Sequence, residues 1–231
     1  MDEQLLFENI AKLRERVRLS SQKSHYRPEK VRILAVSKTR PAADIRAAFG
    51  CGLAEFGESY LQEALEKMAD LADLPLVWHF IGPIQSNKTR PIAEHFDWVH
   101  SVDRLKIARR LSEQRPPDMS PLQVCLQVNI SAEHTKSGVS LEELPDLLQR
   151  VRSLPRLQVR GLMAIPAATD DEQQQRAAFA GLRLALERLQ RGAEPGLDTL
   201  SMGMSGDLEA AIAEGATLVR VGTAIFGPRG G

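Results

Sequence analysis

Apolar residues along this chain occur in two alternating patterns, short continuous runs and longer stretches with a helical period. The runs are rich in Val, Ile and Leu, which is typical of strands buried on both faces of a parallel sheet. The stretches between them repeat apolar residues every three or four positions, as amphipathic helices do. The runs predict eight strands, at residues 31–38, 53–58, 76–81, 98–102, 123–129, 157–163, 199–202 and 217–221.

The helical period also predicts a helix before the first strand, over residues 4–20. Its apolar positions are Leu6, Ile10, Leu13 and Val17. Several of the later helices begin with polar residues whose side chains suit an N-cap. The predicted N-caps are Ser59 and Ser140, each with Gln or Glu three residues on as in a capping box, and Asp103 and Ser205.

Eight strands alternating with helices over 231 residues predict an α/β fold, a (β/α)8 TIM barrel. We expect one domain over residues 1–231, with an extra N-terminal helix and a connection in residues 1–30. The competing fold is an open doubly wound sheet, which usually has fewer strands and a glycine-rich turn after the first one. The first turn here, residues 37–40, contains no glycine.

Charge and composition narrow the classes of function. Thirty Lys and Arg balance thirty Asp and Glu, so the charge favours neither nucleic acid nor an anionic membrane surface as a partner. The sequence has no signal-peptide pattern and no apolar run that could cross a bilayer. Cys51 and Cys125 are far apart, and we expect both to be reduced and buried in a cytoplasmic protein. The histidines and carboxylates lack the spacing of metal ligands.

Lys38 ends the first strand, just before a predicted helix. Ligands of α/β folds bind at that end of the sheet. A lysine that is partly desolvated there is a candidate nucleophile toward an aldehyde, because burial favours the neutral amine. The alternative is an ordinary lysine whose stem packs at the strand exit while its charge stays in water.

Two loops suited to phosphate follow the seventh and eighth strands, where barrels often bind this group. Residues 201–206 carry two glycines with Ser201 and Ser205, and residues 222–224 begin with Gly222 and Thr223. Plain helix capping and a plain turn are the alternatives for each loop alone. Taken together on neighbouring strands, the loops favour a phosphate, beside the first strand of a closed barrel. Pyridoxal 5′-phosphate (PLP) carries both a phosphate and an aldehyde.

Arg220 lies near the end of the eighth strand and is a candidate partner of the PLP pyridine nitrogen. A cation there would keep that nitrogen unprotonated, because two positive charges repel. The ring would then be a weaker electron sink than one paired with a carboxylate. The alternative is a strand arginine that points outward to solvent.

Seven segments of the chain resemble the pyridoxal phosphate homeostasis proteins, the YggS-like group, which are similar to the barrel domain of alanine racemase. They run in the same order over nearly the whole chain, so the resemblance is specific. The segments are residues 35–39 (AVSKT), 56–63 (FGESYLQE), 78–88 (WHFIGPIQSNK), 136–139 (KSGV), 161–166 (GLMAIP), 200–205 (LSMGMS) and 219–227 (VRVGTAIFG).

The resemblance implies a role for most of the candidate residues. Lys38 matches the lysine that holds PLP as an aldimine, and Arg220 matches the arginine that faces the pyridine nitrogen. Ser205, Gly222 and Thr223 match phosphate-binding positions, with Ser201 close by, and Met163 matches a residue near the ring. Ser59 stands where the family usually has Asn. Both residue types cap helices well, but a contact from Asn to the cofactor would be shortened or replaced by water.

Two features favour a PLP-binding homeostasis protein without robust amino-acid turnover. Alanine-racemase-like enzymes have a second domain that supplies a tyrosine opposite the lysine, and only a few residues follow the eighth strand here. Racemisation needs proton donors on both faces of the substrate carbanion. Lys38 is one credible donor, and Tyr60 is the alternative for the other, although a packing role suits it better.

The expected protein is therefore a monomer that holds PLP, and its candidate partners are the apo forms of PLP-dependent enzymes. A slow PLP-dependent amino-acid racemase is the second hypothesis, and a Schiff-base aldolase on a phosphorylated sugar is the third. Other polar residues near strand ends are equally consistent with ligand contacts and with ordinary loop roles. They are His79, Asn87 and Asn129.

Overall fold

The computed structural model describes residues 2–26, 31–131, 137–191 and 196–228. Eight parallel strands pair in chain order, and the eighth pairs with the first, which closes the barrel. The fold prediction is confirmed. The strands are β1 (Arg32–Val36), β2 (Glu55–Glu58), β3 (Val77–Phe80), β4 (Trp98–Val102), β5 (Leu122–Gln127), β6 (Leu157–Met163), β7 (Thr199–Ser201) and β8 (Leu218–Val221).

Helices surround the barrel, and the first of them precedes β1. A short 3-10 turn, Ser86–Lys88, leads into the fourth helix. The helices are α1 (Glu3–Lys23), α2 (Ala42–Gly50), α3 (Leu61–Asp70), α4 (Thr89–His95), α5 (Leu105–Gln114), α6 (Leu144–Arg152), α7 (Glu172–Arg191), α8 (Leu208–Ala213) and α9 (Thr223–Phe226).

Helix α1 is three residues longer at its C-terminus than its apolar period predicts. Its four predicted apolar positions are all buried, and the helix packs against α8 and α9. Arg16 on its polar side pairs with Glu209 and donates a hydrogen bond of 3.2 Å to the carbonyl oxygen of Ser205. The extra helix therefore supports the loop that follows β7.

The barrel interior is more polar than the outer core between strands and helices. At the amino-terminal ends of the strands, the guanidinium carbons of Arg32 and Arg160 lie 4.6 and 5.3 Å from the ring centroid of Trp98. The imidazole of His79 stacks on the same indole at 5.4 Å. This cluster fills one end of the barrel, so a ligand has room only at the carboxyl ends of the strands.

Three of the four predicted N-caps are wrong. Helix α3 begins two residues after Ser59, and Gln62 binds Glu66 instead of completing a capping box. Asp103 pairs with the side chain of Arg104, and α5 begins after Arg104. Gln62 and Asp103 each have another partner within reach, and N-cap preference alone does not decide between the partners.

The other two predicted caps give different outcomes. Ser205 does not cap α8, which begins after Asp207, and the Asp207 carboxylate accepts a hydrogen bond of 2.5 Å from the Met204 N–H. The Ser140–Glu143 box forms one of its two expected contacts, the 3.2 Å hydrogen bond from the Glu143 N–H to the Ser140 hydroxyl, one turn before α6 begins. The Glu143 carboxylate accepts from the Ser140 hydroxyl at 2.8 Å instead of from the Ser140 N–H.

The two cysteines are both free, but they differ in burial. Cys125 is fully buried inside the barrel, as expected. Cys51 is only half-buried, because it follows α2 at the surface beside α1, so the prediction of a buried side chain is wrong for this residue. Lys136, in one of the segments that carry the family resemblance, lies outside the described residues.

Candidate functional site

The closed barrel places the end of β8 beside the end of β1. Leu34 pairs with Arg220 and Ala35 with Val221. Gly222 follows directly, and a Cβ atom built on it would lie 3.2 Å from the carbonyl oxygen of Val36. The predicted phosphate loop after β8 therefore contacts the strand that leads, two residues later, to Lys38.

Lys38 lies half-buried in a tight turn after β1. The N–H of Arg40 donates a hydrogen bond of 3.0 Å to the carbonyl oxygen of Ser37. Thr39 has a φ of 66°, in the left-handed region that β-branched residues rarely adopt. Its N–H donates a hydrogen bond of 2.6 Å to Glu63 on α3. Strained residues of this kind persist where the surroundings over-determine the backbone, and they cluster at ligand sites.

A buried ion-pair cluster beneath that turn supplies the constraint. Lys67 on α3 donates hydrogen bonds of 2.8 Å to the Ser37 carbonyl oxygen and to Glu58 Oε1, and it also pairs with Glu63. The Ser37 hydroxyl donates a 2.6 Å hydrogen bond to Glu58. Burial raises the pKa of Glu58, although Lys67 and Ser37 oppose that shift. The cluster joins β1, β2 and α3 under the lysine turn.

Arg220 points into the barrel with a relative exposure of 4%, so the alternative of an outward-facing strand arginine is wrong. Its Nη1 donates hydrogen bonds to Ser201, at 2.6 Å to the carbonyl oxygen and 2.8 Å to Oγ, and Nη2 donates at 2.9 Å to the Ala164 carbonyl oxygen. Burial lowers the pKa of Arg220 to about 10, so the side chain stays charged at neutral pH.

Those contacts leave the N–H of Nε and one N–H of Nη2 without an acceptor among the described residues. Arg220 therefore offers a pair of donors from a fixed position, which suits an acceptor atom of a planar ligand.

A line of buried polar side chains continues from Ser201 across the barrel interior. Ser201 Oγ lies 2.8 Å from Nδ1 of His100, and His100 Nε2 lies 2.9 Å from Nδ1 of His79. His79 Nε2 lies 3.3 Å from a carboxylate oxygen of Glu55, within ion-pair distance, but completes no hydrogen bond among the described residues. Glu55 in turn accepts a bidentate pair from Arg32.

Burial and neighbouring charges determine the protonation state of each group along this line. Burial lowers the pKa of both His79 and His100, so both imidazoles are neutral at pH 7. Burial would raise the pKa of Glu55, but the nearby His79 and the hydrogen bonds from Arg32 outweigh it and lower that pKa to about 2. A charged guanidinium therefore stands at one end and a charged carboxylate at the other.

The two predicted phosphate loops contact each other. Ser205 Oγ accepts a hydrogen bond of 3.2 Å from the N–H of Ala224, so it links the loop after β7 to the one after β8. Gly203 has a φ of 93° and its carbonyl oxygen accepts from the Arg220 N–H at 2.9 Å. Thr223 is exposed at the start of α9.

Two further predicted site residues lie at other strand ends. Met163 ends β6, is buried, and pairs in register with Ser201. Ser59 follows β2 and is half-buried, with its backbone against Gly82. Among the described residues, no hydrogen bond joins the Ser59 side chain to the other candidates, so the structure brings Ser59 to the barrel mouth but not into the Arg220 group.

The sequence interpretation missed several residues that shape the site. His100, Glu58 and Lys67 carry its polar network, and none of them was singled out. A signal existed for His100, because a histidine inside a continuous buried strand needs a hydrogen-bonding partner. His79 is not near the strand-three mouth but fully buried among the other interior side chains.

The remaining candidates are more peripheral. Tyr60 is 52% exposed rather than packed, Asn87 is exposed, and Asn129 is half-buried.

In the part of the chain that the structure describes, no group of three or more His, Cys, Asp or Glu is arranged to hold a metal ion. None of the described helices combines the length and apolar character that a membrane span requires.

Two curated relatives of this chain carry the same name. The pyridoxal phosphate homeostasis protein of Pseudomonas aeruginosa is 64% identical over 222 residues, covering 96% of this chain and 95% of the relative. The protein of that name from Escherichia coli K12 is 48% identical, with the same two coverages. The similarity thus extends over nearly the full length of these relatives.

Solved structures of other proteins have the same barrel fold as this chain. PipY of Synechococcus elongatus PCC7942, solved with PLP bound, matches with a TM-score of 0.83 and 41% identity, covering 96% of this chain and 99% of that one. Alanine racemase from Corynebacterium glutamicum matches with a TM-score of 0.72 at 16% identity, which shows the fold alone. This chain covers 62% of that racemase.

The family model described as the alanine racemase N-terminal domain matches residues 9–230, almost the whole barrel and its preceding helix. The geometry of the barrel mouth, the full-length relatives and this family match lead to one assignment. The chain belongs to the pyridoxal phosphate homeostasis proteins, whose barrel is of the alanine racemase N-terminal domain family.

Proposed function

We propose that this protein binds PLP and serves in the homeostasis of that cofactor, as the names of its curated relatives describe. The observation that carries the proposal is the buried guanidinium of Arg220, which offers two N–H donors at the barrel mouth, one strand from Lys38. A pyridine nitrogen is an acceptor that these donors fit. PipY, solved with PLP bound, supports the same cofactor.

The residues at the mouth fit the other parts of PLP as well. We assign the phosphate to Ser205, Gly222 and Thr223, since a hydrogen bond joins their loops and Gly222 leaves no side chain in the way. Met163 and Ser201 pair at the ends of β6 and β7, where they would border the ring. Ser59 is assigned to the rim of the site, at the end of β2.

Lys38 is the residue that we assign to the PLP aldehyde. Its amine would attack the aldehyde carbon, a carbon–nitrogen double bond would form, and the aldehyde oxygen would leave as water. The strained turn and the Lys67 cluster beneath it support this role, because they fix the backbone from which the amine extends. PLP supplies an electrophilic carbonyl and an electron-accepting ring.

We infer further that the bound cofactor is held rather than used for rapid amino-acid turnover. A charged arginine at the pyridine nitrogen opposes its protonation and so weakens the ring as an electron sink. A second acid–base group opposite Lys38 is also needed for racemisation. Tyr60, the candidate for that role, is half exposed at the start of α3.

We propose that the protein acts as a cytoplasmic monomer and that apo forms of PLP-dependent enzymes receive PLP from it. The balanced charge and the lack of a membrane-spanning described helix are compatible with this role. Slow racemase activity is the alternative, and the shared barrel with alanine racemase supports only its fold.

A titration with PLP tests this proposal. Purified apo protein is expected to gain visible absorbance with one PLP per chain, and Lys38→Ala is expected to lose that band. Lys106→Ala, on the exposed side of α5, is the matched control and should behave as wild type. Absence of the band in the wild-type protein would refute the proposal, and sustained amino-acid turnover that requires Lys38 would favour the racemase.

A further inference from the structure

The line of interior side chains from Arg220 to Glu55 has only one consistent order of protons. Arginine has no acceptor atom, so Ser201 Oγ must accept from Arg220. Ionised Glu55 at the other end has no proton to donate. With both imidazoles neutral, the Ser201 hydroxyl then donates to His100 Nδ1, and His100 Nε2–H donates to His79 Nδ1. The His79 proton is thereby left on Nε2, which lies 3.3 Å from Glu55 without completing a hydrogen bond, whereas a bare nitrogen there would be repelled by the carboxylate.

This chain of donors crosses the barrel between strands that are not neighbours. His100 lies on β4, and Ser201 lies on β7, so their contact spans the interior. Every member from Arg220 to His79 has a relative exposure of 4% or less. Water cannot readily replace a lost member there, and the hydroxyl of Ser201 has a single direction in which to donate.

We propose that His100 and His79 are positioning residues: by fixing the Ser201 hydroxyl, they orient the Arg220 guanidinium toward the ring nitrogen of the cofactor. The inference rests on the proposed function, because it assigns that nitrogen to Arg220. It goes beyond the proposed function because neither histidine lies at the barrel mouth, and both act through Ser201.

The proton order can be tested without cofactor. Long-range proton–nitrogen NMR spectra of the apo protein at pH 7 report which imidazole nitrogen carries hydrogen. Both His79 and His100 are expected to carry it on Nε2, with Nδ1 as an acceptor. A proton on Nδ1 of either residue would break the chain and overturn the inference, whether or not the protein binds PLP.

Two variants at one position test the effect on the cofactor. His100→Asn places an amide oxygen near the position of Nδ1 and keeps an acceptor for Ser201, whereas His100→Leu removes it. We expect His100→Leu to weaken PLP binding about tenfold and to shift the absorption maximum of the bound cofactor. His100→Asn should remain close to wild type in both measurements.

The outcomes separate this inference from the proposed function. Equal behaviour of the two variants would mean that His100 only fills space, which overturns the inference while PLP binding stands. Wild-type protein that fails to bind PLP would refute the proposed function instead. If His100→Leu does not fold, Ser201→Ala provides the same comparison, because it deletes the hydroxyl and keeps the Ser201 carbonyl oxygen that also accepts from Arg220.

Discussion

Lys67 Nζ lies 2.8 Å from the carbonyl oxygen of Ser37, one residue before Lys38. A charge on α3 therefore holds the turn that carries the proposed PLP-binding amine. The same ammonium group pairs with Glu58, which is fully buried. Removing one partner of such a pair leaves an uncompensated charge in the interior, which is more costly than losing a surface pair.

We expect Lys67→Met to lower the free energy of unfolding by about 3 kcal/mol or more. PLP binding should weaken as well, because the Ser37–Arg40 turn loses its support. Urea unfolding and PLP titration measure the two effects. Adding Glu58→Gln should recover part of the stability by removing the orphaned carboxylate. The account would be wrong if Lys67→Met were no more destabilising than Arg46→Met, which breaks an exposed pair with Asp73.

The buried histidine pair predicts a loss of stability in mild acid. Burial lowers the pKa of His79 and His100 in the folded protein, so below about pH 6.5 the unfolded chain binds protons that the folded barrel excludes. Stability is thus complete above that pH and falls as the pH decreases, by at most about 1.4 kcal/mol per pH unit for each histidine, until the pH reaches the pKa of that histidine in the folded protein.

Urea unfolding at several pH values between 7 and 5 measures this slope. His100→Asn cannot titrate and should reduce the slope by one proton. His95→Asn, at an exposed position on α4, should leave it unchanged. A slope that stays the same in His100→Asn would contradict the assignment of a neutral, buried imidazole.

Two glycines in the loop after β7 give a local test of the backbone at the proposed phosphate site. Gly203 has a φ of 93°, and a Cβ atom there would lie 2.6 Å from the Cβ of Ala211. Gly206 has no atom within 4 Å of such a position. Gly203→Ala should therefore lower stability by about 2 kcal/mol or more, and Gly206→Ala should change it little. Thermal unfolding of both variants measures this difference in stability. Equal melting temperatures of the two variants would contradict the backbone geometry described for the loop.

Much of the architecture follows from the apolar pattern alone. β4 and β6 begin and end where the sequence predicts, and the buried face of α1 is correct. Strand exits are also predictable, because an apolar run that ends in a polar residue identifies them. The sequence alone therefore places Lys38 and Gly222 at the ends of neighbouring strands.

Contacts across the barrel interior could not be predicted in the same way. Which residue meets His100 depends on the strand stagger and on side-chain direction, and β4 and β7 are far apart in sequence and in the sheet. Cap residues failed for a related reason. Serine is a common N-cap residue, yet the Ser205 hydroxyl accepts a hydrogen bond from the N–H of Ala224, which follows β8. Only the packed structure brings these two groups together.

Covalent mapping of the bound cofactor tests the central claim most directly. The complex with PLP is reduced with borohydride and digested, and the modified peptide is identified by mass spectrometry. We predict one modification per chain, on Lys38. A modification on a different lysine, or none in a protein that still binds PLP, would contradict the claim that the amine after β1 holds the aldehyde.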